Sequence, residues 1–284
     1  MKALFSYSTA YVAVLACSIS FTKAQEVALT QVWQSDTTIR TPESVLFEPK
    51  ENVLYISCIN GGPSAENKNS YIAKVSPEGK VLNAKFTEGL NSTKGLGLLN
   101  NKLYVTEMTA VAEIDLKSGK ILNRYPVEGA VFLNDIAVDN KNATVYISDS
   151  RTNKIHALTN GKIRLILEGS PLKNNNGLLV EDGQLLIGNG DGSLLSMNIA
   201  TGKISTIAQG MGGIDGIVAL GGKKYIVSEW PGKVWYINSG SNKLLLDSTK
   251  EKINTADIEF NPKTKTLYVP NFYQNTVTAY SIGK

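Results

Sequence analysis

The stretch Asn134-Asp135-Ile136-Ala137-Val138-Asp139, followed after a short gap by Thr144-Val145-Tyr146-Ile147-Ser148-Asp149, recurs along the chain. Ser44-Val45-Leu46-Phe47 precedes Val53-Leu54-Tyr55-Ile56-Ser57. Lys94-Gly95-Leu96-Gly97-Leu98 precedes Lys102-Leu103-Tyr104-Val105-Thr106. Asn176-Gly177-Leu178-Leu179-Val180 precedes Gln184-Leu185-Leu186-Ile187-Gly188. Asp215-Gly216-Ile217-Val218-Ala219 precedes Lys224-Tyr225-Ile226-Val227-Ser228. Asp257-Ile258-Glu259-Phe260 precedes Thr266-Leu267-Tyr268-Val269. Taken to start at 43, 95, 135, 177, 216 and 258, the copies lie 52, 40, 42, 39 and 42 residues apart. The first interval is long because a polar segment containing Gly and Pro is inserted at residues 60–69.

Each copy continues with a third strand, such as Lys154-Ile155-His156-Ala157-Leu158. A fourth follows a Gly-Lys turn, such as Gly202-Lys203-Ile204-Ser205-Thr206-Ile207. Asn, Asp and Gly at the turns, with β-branched and aromatic residues between them, are hairpin signals. Four short strands per ~40 residues is the blade of a β-propeller. The sixth copy stops after its third strand, and residues 27–33 offer an orphan strand to complete it. The sequence therefore predicts an all-β, six-bladed β-propeller over residues 25–284, closed by the N-terminal strand. Closure removes free sheet edges. The amphipathic helices that an α/β fold needs between its strands are missing.

Composition agrees. The 284 residues carry 42% hydrophobics and 19% charged residues, the profile of a globular chain rather than a disordered one. A net charge of +4 with no Lys/Arg block excludes a nucleic-acid footprint. Gly-rich phosphate loops, a Ser nucleophile elbow and a nucleotide-binding βαβ unit are missing.

Met1-Lys2 and the apolar stretch from 10 to 21 fit a secretory leader and are too short to span a bilayer. Cleavage after Ala24 is favoured. Val14-Leu15-Ala16-Cys17 offers lipoprotein processing at Cys17 as the alternative. Loss of residues 1–24 removes Lys2 and Lys23 and no acid, leaving 27 basic against 25 acidic residues and Cys58 as the only thiol. A secreted or periplasmic location is expected, and Cys58 reads as a buried hydrophobe. The only histidine, His156, falls on a third strand, away from the channel.

In a propeller the first strand of each blade lines the central channel. The residue opening that strand reads, around the ring, Glu43, Lys94, Asn134, Asn176, Asp215 and Asp257. Carboxylates and carboxamides converging on one mouth offer oxygen donors to a hard divalent cation, Ca²⁺ first, with Mg²⁺ and Mn²⁺ next. Zn²⁺ is the remaining option, and a set without His or Cys suits it less. Singly, Asn176-Gly177 and Asp215-Gly216 are ordinary turn dipeptides and Glu43 an ordinary surface acid. Their recurrence at one register of a repeat makes the joint reading a metal cup. Lys94 and Asp257 divide between channel mouth and solvated rim. Glu107, Asp149, Glu229 and Asn271, at the ends of second strands, read as turn caps. Tyr55, Tyr104, Tyr146, Tyr225 and Tyr268 form an interblade packing column.

At Glu43, Asn134-Asp135, Asn176-Gly177 and Asp215-Gly216 the chain resembles the gluconolactonase/regucalcin (senescence marker protein) family of six-bladed propellers. The resemblance implies a divalent metal on Glu43, Asn134, Asn176 and Asp215. It also implies hydrolysis of a lactone or ester, with Asp215 as general base or nucleophile. Lys94, Phe132, Asp257 and Trp230 would contact the substrate. The family often carries Arg where this chain has Phe132, so the mouth suits an apolar substrate better than a sugar acid. A small-molecule lactone or ester, no nucleic acid, no transmembrane segment and a monomer complete the expectations. The alternative is a non-catalytic propeller that holds a ligand or a protein.

For the exported protein, intact-mass measurement is expected to show a chain beginning at Gln25. A lipid-modified chain beginning at Cys17 would select the other processing route.

Overall fold

The computed structural model describes Met1 and residues 27–283, so both leader cleavage sites and Cys17 lie outside the described residues. The first strand, β1 (Ala28–Gln34), is the outermost strand of the last blade. Blade one is β2 (Pro42–Glu48), β3 (Val53–Cys58), β4 (Ser70–Val75) and β5 (Val81–Leu90). Blade two is β6 (Leu96–Leu99), β7 (Lys102–Thr106), β8 (Ala110–Asp115) and β9 (Ile121–Pro126). Blade three is β10 (Leu133–Asp139), β11 (Thr144–Asp149), β12 (Lys154–Thr159) and β13 (Lys162–Glu168). Blade four is β14 (Leu178–Glu181), β15 (Gln184–Gly188), β16 (Leu194–Asn198) and β17 (Ile204–Ala208). Blade five is β18 (Ile214–Gly221), β19 (Lys224–Glu229), β20 (Lys233–Asn238) and β21 (Ser241–Asp247). Blade six is β22 (Glu259–Asn261), β23 (Thr266–Asn271) and β24 (Thr276–Gly283), with β1 outside β24.

All six sheets are antiparallel and four-stranded, and the described residues contain no helix. This is the six-bladed propeller expected from the repeat, closed as expected by the N-terminal strand. No helix among the described residues is long and apolar enough to cross a membrane.

The second strand of each blade is buried along nearly its whole length, and the third is buried along most of its length in blades one to four. Alternate side chains point to opposite faces, so each blade has two apolar faces to cover. Six clusters cover them, one between each pair of neighbouring blades. The tyrosine column divides among these clusters. Tyr268 packs between blades six and one, Tyr55 between one and two, and Tyr146 between three and four. Cys58 is buried in the first of them, and burial pushes its thiol pKa up to about 12, which makes it inert.

Ring closure has its own anchor. The Trp33 ring of β1 lies 5.9 Å from that of Tyr268, and its Nε1 donates to the Pro77 carbonyl at 3.0 Å. Blade six is thereby joined to blade one. Trp33→Ala is expected to cost about 2–3 kcal/mol, less than a fully buried Trp because the ring is only partly buried. Calorimetry should then show a melting temperature lower by roughly 5–10 °C. An unchanged melt would mean that β1 does not hold the ring closed.

Candidate functional site

The inner strands of blades one, three and five are irregular at their first residues. Register shifts fall between Pro42 and Ser44, between Leu133 and Ile136, and between Ile214 and Ile217. Such bulges re-aim a side chain at the end of a strand. The re-aimed segments contain Glu43, Asn134-Asp135 and Asp215. A serine from the second strand patches each bulge. Ser57, Ser148 and Ser228 accept at Oγ from the backbone N–H of Ser44, Asp135 and Gly216, each at 2.9 Å. In blades two and four the pairing stays regular instead, with Lys94 N–H donating to the Thr106 carbonyl and Asn176 N–H to the Gly188 carbonyl.

Glycine follows Lys94, Asn176 and Asp215 for a steric reason. A Cβ on Gly177 would lie 2.5 Å from the Asp215 carbonyl oxygen, and one on Gly216 would lie 2.5 Å from the Ile258 nitrogen. Neither glycine has a left-handed backbone. Asn176-Gly177 and Asp215-Gly216 are therefore close-approach points between adjacent inner strands, not turn dipeptides. Without a side chain in the way, Asn176 Nδ2 reaches Asp215 Oδ1 at 2.6 Å.

Glu43, Asn134 and Asp215 are buried, and Asn176 is half-buried. Asn134 donates from Nδ2 to Ser150 Oγ at 3.1 Å. Each carboxamide thus donates one N–H to a neighbour, and its oxygen takes no hydrogen bond among the described residues. Glu43 Oε2 is buried with no partner among them. No three His, Cys, Asp or Glu side chains among the described residues are grouped as metal ligands. The expected cup contains two carboxylates, and its other two donors are carboxamides.

The acid density is higher than the sequence suggested. Asp135, not singled out as a site residue, is buried, and its oxygens accept from Ile136 N–H and Leu178 N–H, both at 2.6 Å. Asp257 accepts from Ser44 Oγ at 2.5 Å, and its own N–H donates to the Glu43 carbonyl. Glu259 accepts from Phe47 and Phe260 N–H at 3.0 and 2.7 Å. Burial raises the pKa of all these acids. Glu43 is pushed well up by desolvation and by the charges of Asp215 and Asp257. Asp135 and Asp257 are raised in the same way, and Asp215 and Glu259 reach about 7.

One ammonium opposes them. Lys94 is 2% exposed, so it is a channel residue and not a solvated rim residue. Its Nζ donates to Ser92 O at 2.9 Å and Ser92 Oγ at 3.0 Å, and lies 3.6 Å from Met108 Sδ. Desolvation lowers it to about 8, against the pull of Glu43. It also sits 4.4 Å from the centre of the Phe132 ring, and Arg151 lies 4.6 Å from the same ring. Phe132 carries two cations, so its surroundings are not simply apolar. Asp149 caps the loop that presents Phe132, accepting from the Val131 and Phe132 N–H groups. Across the mouth Trp230, 40% exposed, packs edge-on to Phe272 and Tyr273.

A cavity of about 640 Å³ occupies the channel beyond this acid layer. Inner-strand residues such as Leu46, Leu98, Val138 and Phe260 line it, with Lys50 and Asn100 towards its far end. Of the expected site residues only Asp257 borders it. The cup and the cavity thus lie on opposite sides of Asp135 and Asp257.

Arg151 escaped the sequence reading because it lies in a turn, outside the repeated register. Asp135 stood inside that register beside Asn134. The bulge serines had a visible signal, the Ile-Ser or Val-Ser at one place in three second strands.

No family model matches the chain, and no curated protein matches its sequence. Solved structures match its fold. Virginiamycin B lyase from Staphylococcus aureus is 15% identical, with a TM-score of 0.65 over 90% of this chain and 99% of that one. A gluconolactonase from Xanthomonas campestris is 13% identical, with a TM-score of 0.64 over 86% of each chain. A chain of a nidogen/laminin complex is 15% identical, with a TM-score of 0.62 over 76% of this chain and 86% of that one. At such identities the likeness is one of fold, and a lyase, a lactonase and a member of a protein complex share it.

The acid layer has a consequence for stability. Carboxyl groups whose folded pKa is raised favour the folded state fully below the unfolded value near 4, and lose that contribution as pH rises through the folded value. For Asp215 and Glu259 the window is about pH 4–7. Lys94 titrates above it. Urea unfolding without divalent cations should therefore show stability falling from pH 5 to pH 7, by about 1.4 kcal/mol per pH unit for each proton retained. A flat or rising profile would contradict this electrostatic picture.

Proposed function

We propose that the mouth is a divalent-cation site of a hydrolase acting on a small lactone or ester. One observation carries the reading. A buried carboxylate, Glu43, keeps an oxygen without a partner among the described residues, in the charge field of Asp215 and Asp257. An unpaired buried acid is costly, and a cation offsets it. The donors fit a hard ion of the Ca²⁺, Mg²⁺ or Mn²⁺ kind. Glu43 and Asp215 supply carboxylates, and Asn134 and Asn176 turn amide oxygens free.

A cation held there supplies Lewis-acid polarisation of a substrate carbonyl. The chain supplies the rest. Asp215, with one oxygen fixed by Asn176, would take the proton of an attacking water as general base. Trp230 gives a substrate apolar surface, and Phe132 holds Lys94 and Arg151 against its ring. Lys94 and Arg151 favour a substrate that carries or develops negative charge, and Asp257 orders Ser44 beside the cup. The expected leader places the reaction outside the cytoplasm.

The second reading, a non-catalytic binding propeller, is favoured by Lys94. A buried ammonium already acts on Glu43 as a counter-charge, and a site that carries its own cation needs no ion to be stable.

Calorimetric titration of the full chain with Ca²⁺, Mg²⁺ and Mn²⁺, beside Asp215→Ala and Asn176→Ala, separates the two. One-to-one binding lost in both variants is expected. A screen of lactones and aryl esters should then find cation-dependent turnover that falls at least ~100-fold in Asp215→Ala with the melt retained. Absence of binding in the wild-type protein, or turnover unchanged in that variant, would overturn the hydrolase reading.

A further inference from the structure

The acids that divide the channel come from opposite sides of the ring. Asp135 lies on β10 of blade three, and Asp257 just precedes β22 of blade six. Beyond burial itself, the charge of Asp135 is the strongest influence on Asp257. Both border the cavity of about 640 Å³ on the side of the channel away from the cup, and so does Glu259 on β22. Lys94 does not border it. Lys50 is the only basic residue that does, and it is exposed. A fourth acid, Glu48, accepts from the Lys50 and Glu51 N–H groups of its own turn. Asp135, Asp257 and Glu259 therefore face the cavity with no buried counter-charge among the residues that line it.

The rest of the wall is largely apolar. Leu46, Leu98, Val138, Val180 and Phe260, one from each of five inner strands, are half-buried and border the cavity. Its volume falls in the ~300–1,000 Å³ range of small-molecule sites. The carboxylates at its closed end keep capacity to accept. Asp257 Oδ2 takes the Ser44 hydroxyl, while Oδ1 takes no hydrogen bond among the described residues. Each oxygen of Asp135 and Glu259 accepts a single backbone N–H, and a carboxylate has about four lone-pair sites. The cavity thus combines an anionic, hydrogen-bond-accepting end with an apolar wall. An inorganic cation would use the first and gain nothing from the second.

We propose that this cavity is a second ligand site, entered past the exposed Lys50, Asn100 and Asn140, and that it takes an amphipathic primary amine. The ammonium donates to Asp257 Oδ1, with Asp135 and Glu259 beside it, and its three N–H groups suit a cluster of acceptors. The apolar chain lies along Leu46, Leu98, Val138 and Phe260. From Asp135 to Asp139, β10 runs about 13 Å, which accommodates a hexyl chain. Carboxylates and phosphates are repelled by the same acids. None of the four expected cation ligands borders the cavity, so the site holds whether or not the cup binds a cation.

Calorimetric titration of the full chain with hexylammonium is expected to give one saturable site, with hexanol as the neutral control giving none. Binding should tighten roughly two- to fourfold per methylene from propylammonium to hexylammonium, as burial of the tail against the wall requires. Asp257→Asn, which keeps an oxygen for the Ser44 hydroxyl, should weaken hexylammonium roughly tenfold, the loss of one charge-assisted hydrogen bond. Val138→Phe should abolish binding by filling the cavity, with the melt showing a folded chain. Asp215→Ala, in the cup, should leave it unchanged. No saturable binding, equal binding of hexanol, no gain with chain length, binding retained in a folded Val138→Phe, or binding lost in Asp215→Ala would each overturn the proposal.

Discussion

Everything in this molecule follows from the need of a two-faced apolar sheet to be covered on both sides. A four-stranded blade with buried second and third strands cannot end in water on either face. Each blade therefore packs between two others, and a series of such blades is satisfied only when it closes. Six interblade clusters, one per junction, meet that demand. The last junction is the vulnerable one, because it joins the two ends of the chain. Trp33 secures it by reaching both Tyr268 and Pro77. The hydrophobic term is not directional, and the direction comes from strand pairing.

Closure forces six inner strands towards one axis, and this creates the chemistry. At the crowded end, adjacent backbones come so near that Gly177 and Gly216 have no space for a Cβ. The side chains just before them are pressed together. Glu43, Asp135, Asp215, Asp257 and Glu259 share this region with one buried ammonium, Lys94. Like charges in a poorly solvated place raise one another's pKa, and backbone amides offset only part of the cost at Asp135 and Glu259. Natural sequences break local rules at functional sites more than elsewhere. An excess of buried acids is such a break.

The architecture was legible because the repeat writes the same strand six times, and even the orphan strand at the start could be assigned to the sixth blade. The ring of site positions was legible for the same reason. What lay outside the register was not. Arg151 sits in a turn whose position relative to Phe132 depends on how Asp149 folds the preceding loop. A Phe in place of an expected Arg suggested an apolar mouth, yet Lys94 and Arg151 both stack on it. Lys94 itself divided between rim and channel until its burial was known. The lone histidine, expected on a third strand away from the channel, is buried there on β12.

The relation between Lys94 and Glu43 decides what the mouth can hold. An ammonium has three hydrogens. Lys94 directs its donors at Ser92 O, at Ser92 Oγ and towards Met108 Sδ, and turns its face to Phe132. Ser92 Oγ in turn donates to the Pro63 carbonyl at 2.6 Å, which ties the lysine to the segment inserted in blade one. Lys94 therefore acts on Glu43 through space and not by contact. A through-space charge lowers the cost of ionising Glu43 but gives its Oε2 no hydrogen bond among the described residues. The long insertion and the buried lysine thus have a common effect: they hold positive charge near the acids while keeping it off the Glu43 carboxylate.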